Sequence, residues 1–194
     1  TKAIFVNTPH NPIGAVASRE TLEAIAKIAE KHNLFLISDE AYEHVLYDGA
    51  EHVSLGSLPA ARERTVSVYS MSKTYAMSGL RLGYLVINDS LLLERIKKLV
   101  RCTINGVNSV TQYGAAAALT GPQDATRSMA LEYQKRRDIL FDALEEAPYL
   151  RTFKPGGAFY LWAKILPEWP GYDGKRDDWS MTNYLIDAAG IGSS

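Results

Sequence analysis

The chain has 194 residues, 46% of them apolar and 22% charged, with a formal net charge of -1. Such a chain can bury a core without disulfide staples, and its charge excludes a general attraction to nucleic acid or anionic membrane. No apolar run approaches the ~20 residues a membrane helix needs, and the single cysteine, Cys102, has no partner for an internal disulfide, which fits a reducing compartment such as the cytoplasm.

Ile4-Phe5-Val6 reads as a buried strand, followed by a polar loop holding Pro9, Pro12 and Gly14. Ser18 is a suitable N-cap for a helix reaching about His32, with Leu22, Ile25, Ala26 and Ala29 on one face. Leu34-Phe35-Leu36-Ile37 is a second buried strand ending at Ser38-Asp39. Strand, helix, strand in that order is a βαβ unit with parallel strands. Further strands are expected at Val66–Tyr69 and Tyr84–Ile87, and helices over 89–101, 111–119 and 124–146, the last with a charged, solvated face. Beyond it come a Pro155-Gly156-Gly157 turn, a strand over Ala158–Ala163 and a helix over Trp179–Ala188. The expected fold is α/β. Residues 1–125 form a mostly parallel sheet flanked by helices, and 126–194 belong to a smaller α+β unit. Thr1 opens directly on a strand-like run and the chain stops just after a helix, so both ends read as cuts in a longer polypeptide.

In open α/β sheets ligands gather at the carboxyl ends of the strands. Three polar clusters lie there. Asn11 follows the first strand, Asp39 and Tyr42 the second, and Ser70, Ser72, Lys73 and Arg81 the third. Taken singly, each has an ordinary explanation. Asn11 before Pro12 makes turns, Asp39 caps the turn that follows it, and Tyr42 is a half-buried aromatic. Arg81 forms a surface ion pair, and most lysines are solvated. No histidine pair has metal-ligand spacing, and neither a phosphate-binding glycine loop nor a dinucleotide fingerprint occurs.

The set as a whole resembles the class I/II aminotransferases, a group of fold-type I pyridoxal-phosphate enzymes. The resemblance rests on Asn11-Pro12-Ile13-Gly14 (Ile13 where the family has Thr), Asp39-x-x-Tyr42, Ser70-x-Ser72-Lys73, and Arg81 eight residues after the lysine. It implies that Lys73 forms a Schiff base with pyridoxal 5'-phosphate and, once freed, moves the proton between the substrate Cα and the cofactor. It implies that Asp39 meets the ring nitrogen, that Asn11 and Tyr42 bond the phenolic oxygen, and that Ser70 and Arg81 hold the phosphate. Phe159 or Tyr160 is the candidate contact for a substrate side chain, with packing into a small core as the equal alternative.

The implied reaction moves an amino group between an amino acid and a 2-oxo acid, in a homodimer that shares its sites. A C-S lyase or synthase on the same scaffold, or an aminotransferase-like effector domain of a transcription regulator, are the other readings the resemblance leaves open. In such proteins a ring-stacking aromatic comes from upstream of the first strand, and the arginine for the substrate carboxylate from downstream of residue 194.

Overall fold

The computed structural model describes residues 1–175 and 177–193. Its main sheet has the order β1-β2-β3-β4, with β1 (Ala3–Asn7), β2 (Phe35–Asp39) and β3 (Thr65–Ser70) parallel and β4 (Gly83–Ile87) antiparallel to β3. The antiparallel strand fits tightly. A Cβ on Gly83 would lie 2.5 Å from the Tyr69 carbonyl oxygen, so only glycine permits the approach.

Helix α1 (Arg19–Lys31) is the β1-to-β2 crossover and starts at Ser18, whose hydroxyl accepts from the Thr21 amide at 3.2 Å. Leu22, Ala26 and Ala29 recur at helical spacing and pack on Leu36. The loop between β2 and β3 adds Leu55, Leu58 and Ala61 to the same core. This face of the sheet is covered at Leu36, Ser38, Thr65 and Ser67. On the other face the register aligns Phe5 with Ile37 and Val68 with Leu85, and Phe5 stays 63% exposed.

After β3 comes one helical turn, α2 (Met71–Thr74), capped by Ser70. Helices α3 (Ser90–Thr103), α4 (Ser109–Thr120) and α5 (Asp124–Glu145) follow β4. A two-stranded antiparallel sheet, β5 (Leu150–Thr152) with β6 (Ala163–Ile165), packs against α5 and α6 (Asp177–Ala189).

Two expectations need correction. Residues 158–162 are not a strand, and regular structure resumes only at Ala163. Ala158 sits at φ 56, in the left-handed region, which breaks an extended run. Its amide is bound to the Val45 carbonyl at 2.9 Å instead of to a neighbouring strand. The charged face of α5 is also not uniformly solvated. Arg137 is buried, pairing with Asp48 at 2.6 Å and Asp138 at 2.7 Å and donating to the Pro155 carbonyl at 2.9 Å.

These contacts fasten the far end of the chain to the sheet. The amides of Gly156 and Gly157 both donate to the Gly14 carbonyl at 3.0 Å, and the Tyr47 amide donates to the Gly156 carbonyl at 3.0 Å. Gly14 has φ 68, and a Cβ there would fall 2.4 Å from Pro155 Cβ. A second core cluster forms at this corner from Tyr42, Val45, Tyr47 and Ala158, with Tyr133, Phe159 and Tyr160 against it.

Candidate active site

Parallel pairing brings the ends of the strands level. Asn7 stands opposite Asp39, and Asp39 opposite Val68, two residues before Ser70. The Asp39 backbone is clamped on both sides. Its carbonyl accepts from the Thr8 amide and from Asn7 Nδ2, each at 3.1 Å, while the next amide, Glu40, donates to Val68 at 2.9 Å. The carboxylate has one contact within its own turn, the Ala41 amide at 3.3 Å. That contact is the turn-capping role the sequence allowed. At 3.3 Å it leaves most of the acceptor capacity of the carboxylate free.

Asn11 is held by its backbone, whose amide donates to Asn7 Oδ1 at 2.7 Å. Its side-chain amide donates to the Tyr160 hydroxyl at 3.4 Å, and that hydroxyl lies 2.7 Å from the Tyr42 hydroxyl. Tyr42 is buried and meets Phe159 edge-to-face, with ring centroids 5.2 Å apart. The Lys73 ammonium sits over the Phe159 ring at 5.3 Å. The expected residues Asn11, Tyr42 and Lys73 are therefore joined through Phe159 and Tyr160, from the stretch where the sequence reading placed a strand. That reading offered Phe159 or Tyr160 as a candidate substrate contact, with packing into a small core as the equal alternative. Their meeting with Tyr42 and Asn11 had no signal in the sequence, because 118 residues separate Tyr42 from Tyr160.

Ser70 and Arg81 lie at the same end of β3. The Ser70 hydroxyl accepts from the Ser72 amide at 3.2 Å, capping the turn that carries Lys73. Arg81 is exposed at φ 54, and its guanidinium donates to the Ser78 carbonyl at 2.8 Å. A left-handed backbone is unfavourable for an arginine by roughly 1 kcal/mol and recurs at functional sites.

The sequence profile described as aminotransferase class I and II matches residues 1–191. The chain belongs to that family. Among relatives of this aminotransferase-family chain, an arginine–pyruvate transaminase of Pseudomonas aeruginosa is 38% identical over 167 residues, covering 86% of this chain and 42% of the relative. An aspartate aminotransferase of Pyrococcus abyssi is 41% identical, with 85% and 42% covered. The crystal structure of an aromatic aminotransferase from Pyrococcus horikoshii superposes with a TM-score of 0.88 at 36% identity, covering 99% of this chain and 50% of that one. This aminotransferase-family chain thus spans about half the length of the proteins it matches, or less.

Burial dominates the electrostatics of its site. It pushes the Tyr42 phenol well above the usual tyrosine range, and the Tyr160 hydroxyl adds to the effect. Tyr42 is therefore a neutral donor at any physiological pH. Behind the strand tips, burial also raises Glu43, to about 7. No group of three or more His, Cys, Asp or Glu among the described residues is arranged to hold a metal ion. No described helix is long and apolar enough to cross a membrane.

Proposed function

We propose that the complete protein is a pyridoxal-phosphate-dependent aminotransferase that moves an amino group between an amino acid and a 2-oxo acid. The observation that carries this reading is the convergence of Lys73, Tyr42 and Asn11 on one aromatic pair, with Asp39 at the tip of the adjacent strand. The donor set suits the cofactor. An amine, a carboxylate with spare acceptor capacity, two neutral donors and a permanently charged guanidinium match an aldehyde, a ring nitrogen, a phenolic oxygen and a phosphate.

When bound, pyridoxal phosphate supplies an aldehyde that condenses with amines and a ring that takes up the electrons released at the substrate Cα. Lys73 Nζ would hold that aldehyde, and as a free amine it would move the proton at the substrate Cα. Asp39 would meet the ring nitrogen and hold its proton. Asn11 Nδ2 and the Tyr42 hydroxyl would orient the phenolic oxygen, and Ser70 and Arg81 would hold the phosphate. The reading includes a homodimer with shared sites, located in the cytoplasm, where an exposed, unpaired Cys102 is at home.

The test is the visible absorption spectrum of the complete protein with pyridoxal phosphate. A yellow band that bleaches with an amino donor is expected. It should depend on Lys73 through a borohydride-reducible link, and Asp39→Ala should lose most turnover. A link that survives in Lys73→Ala would mean that the lysine is misassigned.

A further inference from the structure

Glu40 follows Asp39 directly, just beyond the end of β2. Asp39 points toward the site, while Glu40 goes into the protein and is fully buried. Its carboxylate accepts from His52 Nε2 at 2.7 Å, from the Ser54 hydroxyl at 3.0 Å and from the Tyr69 hydroxyl at 3.0 Å. Ser54 and Tyr69 also touch each other at 3.0 Å, which closes the group. Tyr69 stacks on Tyr84 with ring centroids 4.8 Å apart and immediately precedes Ser70, the cap of the Lys73 turn.

The mechanism above uses none of these groups. Nor does packing call for them, because apolar residues of similar volume often replace buried ion pairs without loss of stability. What the cluster does join is specific. It ties the residue after Asp39, the residue before Ser70 and the loop over 48–57 into one bonded unit. Burial alone would raise the Glu40 pKa, but His52 foremost, with smaller contributions from the Ser38 and Ser54 hydroxyls, holds it below the ordinary carboxylate range. The carboxylate therefore stays charged and keeps its three donors. Nearby, the Glu43 Oε2 and Thr74 hydroxyl atoms are buried without hydrogen-bond partners, so this side of the strand tips already carries polar strain.

We infer that Glu40, with His52 and Tyr69, is a positioning unit that fixes the Asp39 carboxylate relative to the Lys73 amine. This inference rests on the proposed function and deepens it. A carboxylate that meets a ring nitrogen works only at a defined distance, and a displacement of about 1 Å costs up to 10²-fold in rate. Local hydrogen bonds to the Asp39 carboxylate do not set that distance, since among the described residues the Ala41 amide alone bonds it. Strand pairing clamps the Asp39 backbone, and the bonded cluster one residue away adds a second anchor to the turn that follows it.

The experiment uses the complete, cofactor-loaded protein carrying Glu40→Ala, Glu40→Gln, His52→Gln or Tyr69→Phe. Each variant is read by kcat and KM and by the pH midpoint of the cofactor's visible band, which reports how Asp39 meets the ring. Glu40→Ala should keep the borohydride-reducible link to Lys73, lower kcat by roughly 10- to 100-fold with little change in KM, and move the midpoint. Glu40→Gln, which keeps the shape and two acceptor sites, should recover most of both. Should Glu40→Ala fail to fold, Tyr69→Phe and His52→Gln carry the test with smaller effects of the same sign. Unmoved midpoints and kcat in these variants, beside an inactive Asp39→Ala, would overturn the inference and leave the proposed function standing. An active Asp39→Ala would overturn both.

Discussion

Replacing Glu43 with glutamine should stabilise the protein at alkaline pH and do little at acid pH. Glu43 is 9% exposed, and one carboxylate oxygen is buried without a hydrogen-bond partner. Burial raises its pKa from the model-compound value of 4.5 to about 7, with Glu40 adding to the rise and the backbone amide of Glu43, the nearby Thr74 hydroxyl and His52 opposing it. The sign follows from proton counting. Between 4.5 and about 7 the unfolded chain has released its proton while the folded protein keeps it. Stability therefore falls as pH rises through that window, and the full penalty is present above it.

Each pH unit of the gap is worth ~1.36 kcal/mol, which amounts to roughly 3 kcal/mol in all, and solvent relaxation reduces the expected effect to about 1–3 kcal/mol. Urea unfolding of the complete protein and of Glu43→Gln at about pH 5 and about pH 8 measures it, because any packing cost of the amide is the same at both values. A stability difference between the two proteins that does not change with pH would refute the reasoning.

Gly14→Ala should lower stability by about 1–3 kcal/mol and weaken cofactor binding by the complete protein, because the new methyl meets Pro155 and the backbone sits at φ 68. Thermal melts and a cofactor titration check both effects, and normal binding would show that the corner does not hold the site. Arg137→Lys should cost about 1–3 kcal/mol, since a lysine cannot reproduce the fork that joins Asp48, Asp138 and the Pro155 carbonyl. Unchanged denaturation would show that the buried guanidinium contributes nothing.

Much of this was legible in the sequence. The apolar runs of β1 to β3 and the capped α1 are local signals, and the candidate site residues occupy strand ends where topology alone levels them. What escaped was non-local. Glu40 carries no local signal, because its partners lie 12, 14 and 29 positions later and no periodicity connects them. Arg137 was read with its charged neighbours, although its burial depends on Asp48 across the fold. The run Ala158-Phe159-Tyr160 has strand-like composition, and only the left-handed φ of Ala158 and its bond to Val45 reveal a loop. Strand β5, at three residues, is shorter than any pattern can register.

The stitching of residues 155–158 onto Gly14, Val45 and Tyr47 has a mechanical consequence. Arg137 pins α5 to the same corner, so any rocking of the β5–β6 pair against the main sheet has to pivot outside it. The hinge then falls before Pro155 or after Tyr160, and Phe159 and Tyr160 ride with the sheet while the outer elements swing.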